Sequence, residues 1–263
     1  MKHEHTFAIC AYKASPYLEE CMISVLNQDF KSNVILITST PCNFISNLCE
    51  KYNIKCYINE GRGGITQDWN FAYKTAQSHI VTIAHQDDIY FSNYTSNLMK
   101  LFKHENNPLI FFSDYYEIRN NEIYKNSLLL IIKRIMLIPF RFFIFRKSKR
   151  IRRLILSFGS PICCPSVAFI KPNLPLEIFN NHFRTNEDWE AWEKISNYKG
   201  EFLYCSKALM AHRIHEDSET SSAILESGRS DEDYEMFCKF WPECIAKGLT
   251  ILYKKSESYN KIK

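Results

Sequence analysis

Apolar residues fall along the chain in short unbroken runs, separated by stretches whose apolar positions recur every three or four residues. Residues 6–12 (TFAICAY), 34–37, 55–58 and 80–84 are runs too short for helices and read as strands. Between the first two, Leu18, Cys21, Met22, Val25 and Leu26 form one helical face. Ser15 and Pro16 are placed to open that helix as N-cap and first residue, with Glu19 and Glu20 suiting its dipole. Residues 44–52 predict a second helix. Ala72, Tyr73, Ala76 and Ile80 mark a third, begun by Asn70 after a flexible loop at Gly61-Arg62-Gly63-Gly64. Strands alternating with helices in this way predict an α/β fold built like a nucleotide-binding half.

Further on, residues 92–102 read as a helix and 109–113 (LIFFS) as a buried strand. Residues 128–156 form an apolar, aromatic and basic stretch. Residues 159–171 predict a loop followed by a strand. A helix then starts at Asn186-Glu187-Asp188-Trp189, with a strand at 201–204. Residues 232–252, with Tyr234, Phe237, Phe240 and Trp241, predict a helical tail that packs back on the domain. The division expected is a main domain over 1–220, with an insertion at 128–156, and a tail over 221–263. No internal repeat is present.

With 46% hydrophobic residues and only 7 Gly and 9 Pro, the 263-residue chain has the makings of a packed core and not of a disordered one. The net charge of +4 is unevenly spread. Nine basic residues and no acid lie between Ser127 and Ser157, so the remainder is net acidic. Lys133, Arg134 and Pro139 interrupt the apolar run, which argues against a transmembrane span. An amphipathic element at a membrane surface, with aromatic anchors and snorkelling cations, fits the pattern best. An ordinary helix pair over the core is the alternative. A nucleic-acid patch is set aside because Phe, Ile and Leu are so dense among the charges. The ten cysteines show no CxxC pair, and the N-terminus lacks the apolar region of a signal peptide. A reduced, cytoplasmic protein is expected.

The candidate chemistry centres on the end of the 80–84 strand. There His85, Gln86, Asp87 and Asp88 fall where open α/β sheets hold their ligands. Two adjacent acids leaving a buried strand call for a cation, and a hard divalent metal suits them. A solvated acidic turn is the plainer alternative.

Taken together, AYKASPYLEECMISVLNQ, NEGRGGITQDWNFAYKTAQSHIVTIAHQDDIY, NEDWEAW and HRIHEDS resemble the family 2 glycosyltransferases of the GT-A fold over about residues 6–220. The resemblance implies a single Rossmann-like mixed sheet flanked by helices. It keeps the family's seventeen-residue spacing from Asn70 to Asp87. It implies that Asp88 binds Mg²⁺ or Mn²⁺ on the donor diphosphate, with Asp87 on the ribose or the metal and His215 as a further metal ligand reaching toward the diphosphate. Ala11, Tyr12, Ser39, Arg62, Asp68 and Asn70 are the remaining positions expected at a nucleotide-sugar donor, a UDP-sugar being the commonest. Glu187 and Asp188 match an acidic pair at the acceptor. Asp188 is expected as the base that takes the proton of the attacking hydroxyl, with Glu187 as its partner. Without the other motifs, the two acids would simply complement a helix dipole.

The sequence departs from the family where His85 replaces the first aspartate of D-x-D-D and where the second strand ends in Thr38-Ser39-Thr40 without an acid. The function expected is inverting sugar transfer to a glycan or polyprenyl-linked glycan in bacterial surface-polysaccharide synthesis, at the inner face of the cell membrane. A non-catalytic GT-A domain that binds a nucleotide sugar or a partner protein is the alternative. A nucleotidyltransferase would want a phosphate loop that Ala11-Tyr12-Lys13-Ala14 is not.

Overall fold

The computed structural model describes residues 4–215 and 229–257. Four strands, β1 (His5–Ala11), β2 (Asn33–Thr38), β3 (Lys55–Ile58) and β4 (Ile80–His85), pair in parallel in the order β3-β2-β1-β4. They are joined by helices α1 (Leu18–Leu26), α2 (Asn43–Lys51) and α3 (Ile65–Thr75). The apolar runs of β1, β2 and β4 are continuous because both faces are covered. Ala8, Ile35 and Ile37 enter one core, and Phe7, Ile9 and Leu36 enter the other.

The sheet then continues in mixed sense. After β5 (Ile89–Tyr90) and α4 (Tyr94–Phe102), the long β6 (Pro108–Arg119) turns back through β7 (Glu122–Tyr124). Three helices follow, α5 (Leu128–Leu137), α6 (Phe143–Lys147) and α7 (Lys149–Leu156). β8 (Ala168–Ile170) lies antiparallel between β4 and β6, while β9 (Glu201–Ile214) runs parallel to β6 and antiparallel to β5. Helix α8 (Glu187–Ser196) precedes β9, and α9 (Arg229–Cys238) and α10 (Glu243–Glu257) form the tail. Met236, Phe237 and Ala246 of the tail join the core of Trp189 and Trp192. The boundary expected at 220/221 lies outside the described residues. All ten cysteines are unbridged.

Three local expectations are corrected. Helix α1 begins at Leu18, because the Ser15 hydroxyl accepts the Tyr17 N–H at 3.3 Å and closes a turn before the helix. Helix α3 begins at Ile65, not Asn70. Gly64, at φ +141°, makes the sharp entry to it. The strand expected at 109–113 runs on to Arg119 through bulges around Asp114.

The 128–156 segment also differs from its expectation. Seven of its nine cations turn inward: Lys133 to Tyr115, Arg134 to Asp114, Arg146 to Glu105, Lys147 to Glu201, Lys149 to the Asn197 carbonyl, Arg152 to the Tyr198 and Gly200 carbonyls, and Arg153 to Glu193. Arg152 is wholly buried. The side chains left outside are mainly apolar, so the cations do not snorkel. Among the described residues, no helix is long and apolar enough to cross a membrane.

Candidate active site

The parallel register puts Ala11 beside Thr38 and Cys10 beside His85, so β1, β2 and β4 end on one level. A cleft of about 810 Å³ opens above those ends, a volume ordinary for a small-molecule site. Ala11, Tyr12, Ser39, Asp68, Asp87, Glu187, Asp188 and His215 all border it. Arg62, Asn70 and Asp88 are not among the bordering residues.

The loops after β1 and β4 are locked together. The Gln86 side-chain oxygen accepts the Tyr12 N–H at 2.9 Å, and its amide donates to the Tyr12 carbonyl at 3.2 Å. Asp68 is held on both oxygens, by the Ser39 hydroxyl and by the Asn59 amide, each at 2.7 Å. It therefore ties α3 to the ends of β2 and β3. Asn70 is turned to the 178–179 segment. Its amide donates to the Phe179 carbonyl at 2.8 Å, and its oxygen accepts the Ile178 and Phe179 N–H groups at 3.1 Å.

The two aspartates have separate surroundings. Asp87 faces the cleft and accepts a hydrogen bond from His215 Nε2 at 2.9 Å. Burial alone would raise its carboxyl, but that bond and the neighbouring histidines bring it below its ordinary value. Asp88 is wholly buried behind it. Its Oδ1 accepts the Arg213 backbone N–H and His212 Nδ1, each at 2.9 Å, which fastens the β4 end to β9. Burial opposes charge on His212, but Asp88 beside it raises its pKa. The His85 ring stacks on Trp69 at 5.0 Å, and burial lowers its pKa.

His85, Asp87 and Asp88 each offer a donor atom within 4.8 Å of the others. Asp88 Oδ2 and His85 Nε2 are buried without a hydrogen-bond partner. Two unsatisfied buried polar atoms are costly. A divalent metal would satisfy the carboxylate oxygen and, in the tautomer with Nε2 unprotonated, the imidazole as well, so this donor set fits a divalent metal. His215, expected as a ligand, is bonded to Asp87, and His85 is the third member of the group.

The opposite wall rests on α8. Glu187 and Asp188 lie in its first turn, where Asp188 Oδ1 accepts the Trp189 N–H at 2.6 Å. The approach to this helix is held from the tail. Glu232 accepts the Arg184 and Thr185 N–H groups at 2.8 and 2.9 Å and the Thr185 hydroxyl at 2.6 Å. Asp233 accepts the Asn186 amide at 2.8 Å. Tyr253 of α10 borders the cleft against Gly159 (φ +134°), where a Cβ would stand 2.7 Å from the tyrosine ring. Ser160 and the 162–165 stretch complete this wall. Burial pushes the Cys163 and Cys164 thiols up, so neither is a ready nucleophile.

Several bordering residues had no local signal: Tyr115 and Glu117 on β6, Lys133 on α5, and Tyr253 on α10. His212 and Arg213 were visible as part of HRIH. Arg213 donates to the Asp87 carbonyl and to Glu20 at 3.0 and 2.6 Å, with its guanidinium over Tyr17.

A mixed sheet with its acidic group at the ends of the parallel strands is the GT-A architecture. The solved structures that resemble the chain share its fold. S. aureus TarS 1-349 in complex with UDP-GlcNAc superposes with a TM-score of 0.63 at 17% identity, over 95% of this chain and 70% of that one. The mannosyltransferase PcManGT from Pyrobaculum calidifontis, in complex with GDP-Man and Mn2+, does so with a TM-score of 0.61 at 14% identity, over 95% and 70%. Against a longer TarS structure the chain spans 42% of the length. No curated protein matches the chain. The model of "Glycosyl transferase family 2" matches residues 6–174, well over half the sequence. The chain belongs to that family.

Proposed function

We propose that the protein transfers a sugar, with inversion, from a nucleoside-diphosphate sugar to a hydroxyl of a glycan or polyprenyl-linked glycan. The observation that carries this reading is that one cleft is bordered by His85 and Asp87 at the strand ends, with Asp88 buried behind them, and by Glu187 and Asp188 on α8. A donor lying over the strand ends would bring its diphosphate to the first group. Mg²⁺ or Mn²⁺ held there would neutralise the charge that grows on the leaving diphosphate. Asp188 takes the proton of the acceptor hydroxyl as that oxygen attacks the anomeric carbon, with Glu187 beside it. Tyr12 and Ser39 border the part of the cleft left for the nucleoside, and a uridine donor is the first to test. The pathway proposed is synthesis of a surface polysaccharide on the cytoplasmic side of the membrane.

Titration calorimetry with a panel of nucleoside diphosphates, with and without Mn²⁺, tests the donor half. Binding of one nucleotide that requires Mn²⁺ is expected. It should weaken by at least about tenfold in Asp88→Asn, which keeps an oxygen for the Arg213 N–H. A folded protein that binds none of them would overturn the reading in favour of a non-catalytic domain.

A further inference from the structure

The elbow formed by α5, the turn after it and α6 has an inner and an outer side of opposite character. On the inner side, Leu129 and Lys133 border the cleft. On the outer side, Ile131, Ile132, Ile135 and Ile138 are exposed, followed by Phe142, Phe143, Ile144 and Phe145. Ile144 is 75% exposed and Phe142 59%, values that no fold-internal role requires. Phe142 and Phe145 rest edge to face at 6.0 Å, so the aromatics form one ridge. A continuous apolar surface of this size marks an interaction site.

We propose that this outer face docks on an anionic lipid surface. Charge selects the occupant. Residues 125–157 contain no acid, and Arg141, next to Phe142 in the chain, and Arg150, at the start of α7, stay exposed. A second copy related by a two-fold axis would bring this basic surface against itself, which like charges oppose. Residues 216–228 of the chain are mostly polar, with one apolar triplet at 223–225, too little to cover eight exposed side chains. Anionic headgroups meet the two arginines, and the acyl boundary takes the Phe and Ile side chains. Because the other seven cations are engaged within the fold, apolar insertion supplies most of the attachment and salt weakens it without abolishing it. Docked this way, α5 lies between the bilayer and the cleft that Lys133 borders, which sets the cleft next to the membrane surface where an acceptor on a lipid carrier would be held. This last step rests on the transferase reading; the docking itself does not.

Co-sedimentation of the purified chain with vesicles tests the proposal, using phosphatidylcholine alone and phosphatidylcholine mixed with phosphatidylglycerol. Wild type should sediment with the anionic vesicles. A Phe142→Ser, Phe143→Ser, Ile144→Ser variant should lose roughly tenfold in partitioning while keeping its nucleotide binding and circular dichroism. Should the triple variant fail to fold, Ile144→Ser alone must still reduce sedimentation. Wild type that stays in the supernatant with every vesicle overturns the proposal, as does equal sedimentation of the variants. A wild-type dimer in light scattering that the substitutions dissolve would also overturn it and assign the face to a second copy. Nucleotide binding is read in the same samples, so failure of docking and failure of the transferase reading remain distinguishable.

Discussion

On the sheet side of the cleft, Asp68, Asp87 and Asp88 sit at the ends of β4 and in α3, each bound by side chains from neighbouring strands and loops. On the other side, Glu187 and Asp188 ride on a helix whose approach is pinned by Glu232 and Asp233 of the tail. The first arrangement is part of the frame. The second is hung from it, and its position depends on a helix that enters the chain only after β9. Under the proposed function, donor binding and proton removal fall to separately supported parts, so they should respond separately to substitution.

Asp188→Asn tests that separation with the largest effect. Losing the base should cut turnover by roughly 10²–10⁴, while calorimetric nucleotide affinity stays unchanged. An equal loss of nucleotide binding would break the division. Glu232→Gln should act more mildly, because the carboxylate that gathers three hydrogen bonds from Arg184 and Thr185 becomes neutral. A small displacement of α8 should lower kcat by roughly tenfold with donor KM unchanged. A matching rise in donor KM would show that the tail supports both walls. The smallest effect is expected on the sheet side. Gly64→Ala forces a side chain into φ +141° and to 2.5 Å from the Gln67 oxygen. It should cost about 1–3 kcal/mol of stability, seen as a fall of a few degrees in Tm, with kcat nearly intact.

The same division governed what could be read from the chain. β1, β2 and β4 announced themselves as short apolar runs with buried residues on both faces, and the edge strand β3, though partly exposed, was placed to the residue. His85, Asp87 and Asp88 followed from the end of such a run. The start of α3 was missed because Ile65 and Thr66 follow a glycine cluster, and the bend that opens the helix is a backbone property of Gly64 with no apolar period to mark it. Glu232 and Asp233 gave no signal at all, since a carboxylate that meets backbone N–H groups 47 residues away looks like any helix-surface acid. The inward turn of Arg146, Arg152 and Arg153 was hidden for the same reason. A basic run looks identical whether its partners are lipids or the carbonyls and carboxylates of a distant turn.

The bond from the Arg213 N–H to Asp88 has a consequence for how the protein comes into being. The two residues are 125 positions apart, and the β5–β9 pairing beside them spans a similar separation. At synthesis rates of roughly 5–20 residues per second, Asp88 leaves the ribosome on the order of ten seconds before the strand that satisfies it. The parallel array β1 to β4 can assemble once residue 85 has emerged, whereas the edge that encloses the acidic group must wait for pairing across about 120 residues. The nascent chain thus passes through a stage in which its substrate-side frame is built and its acidic centre is still open to water.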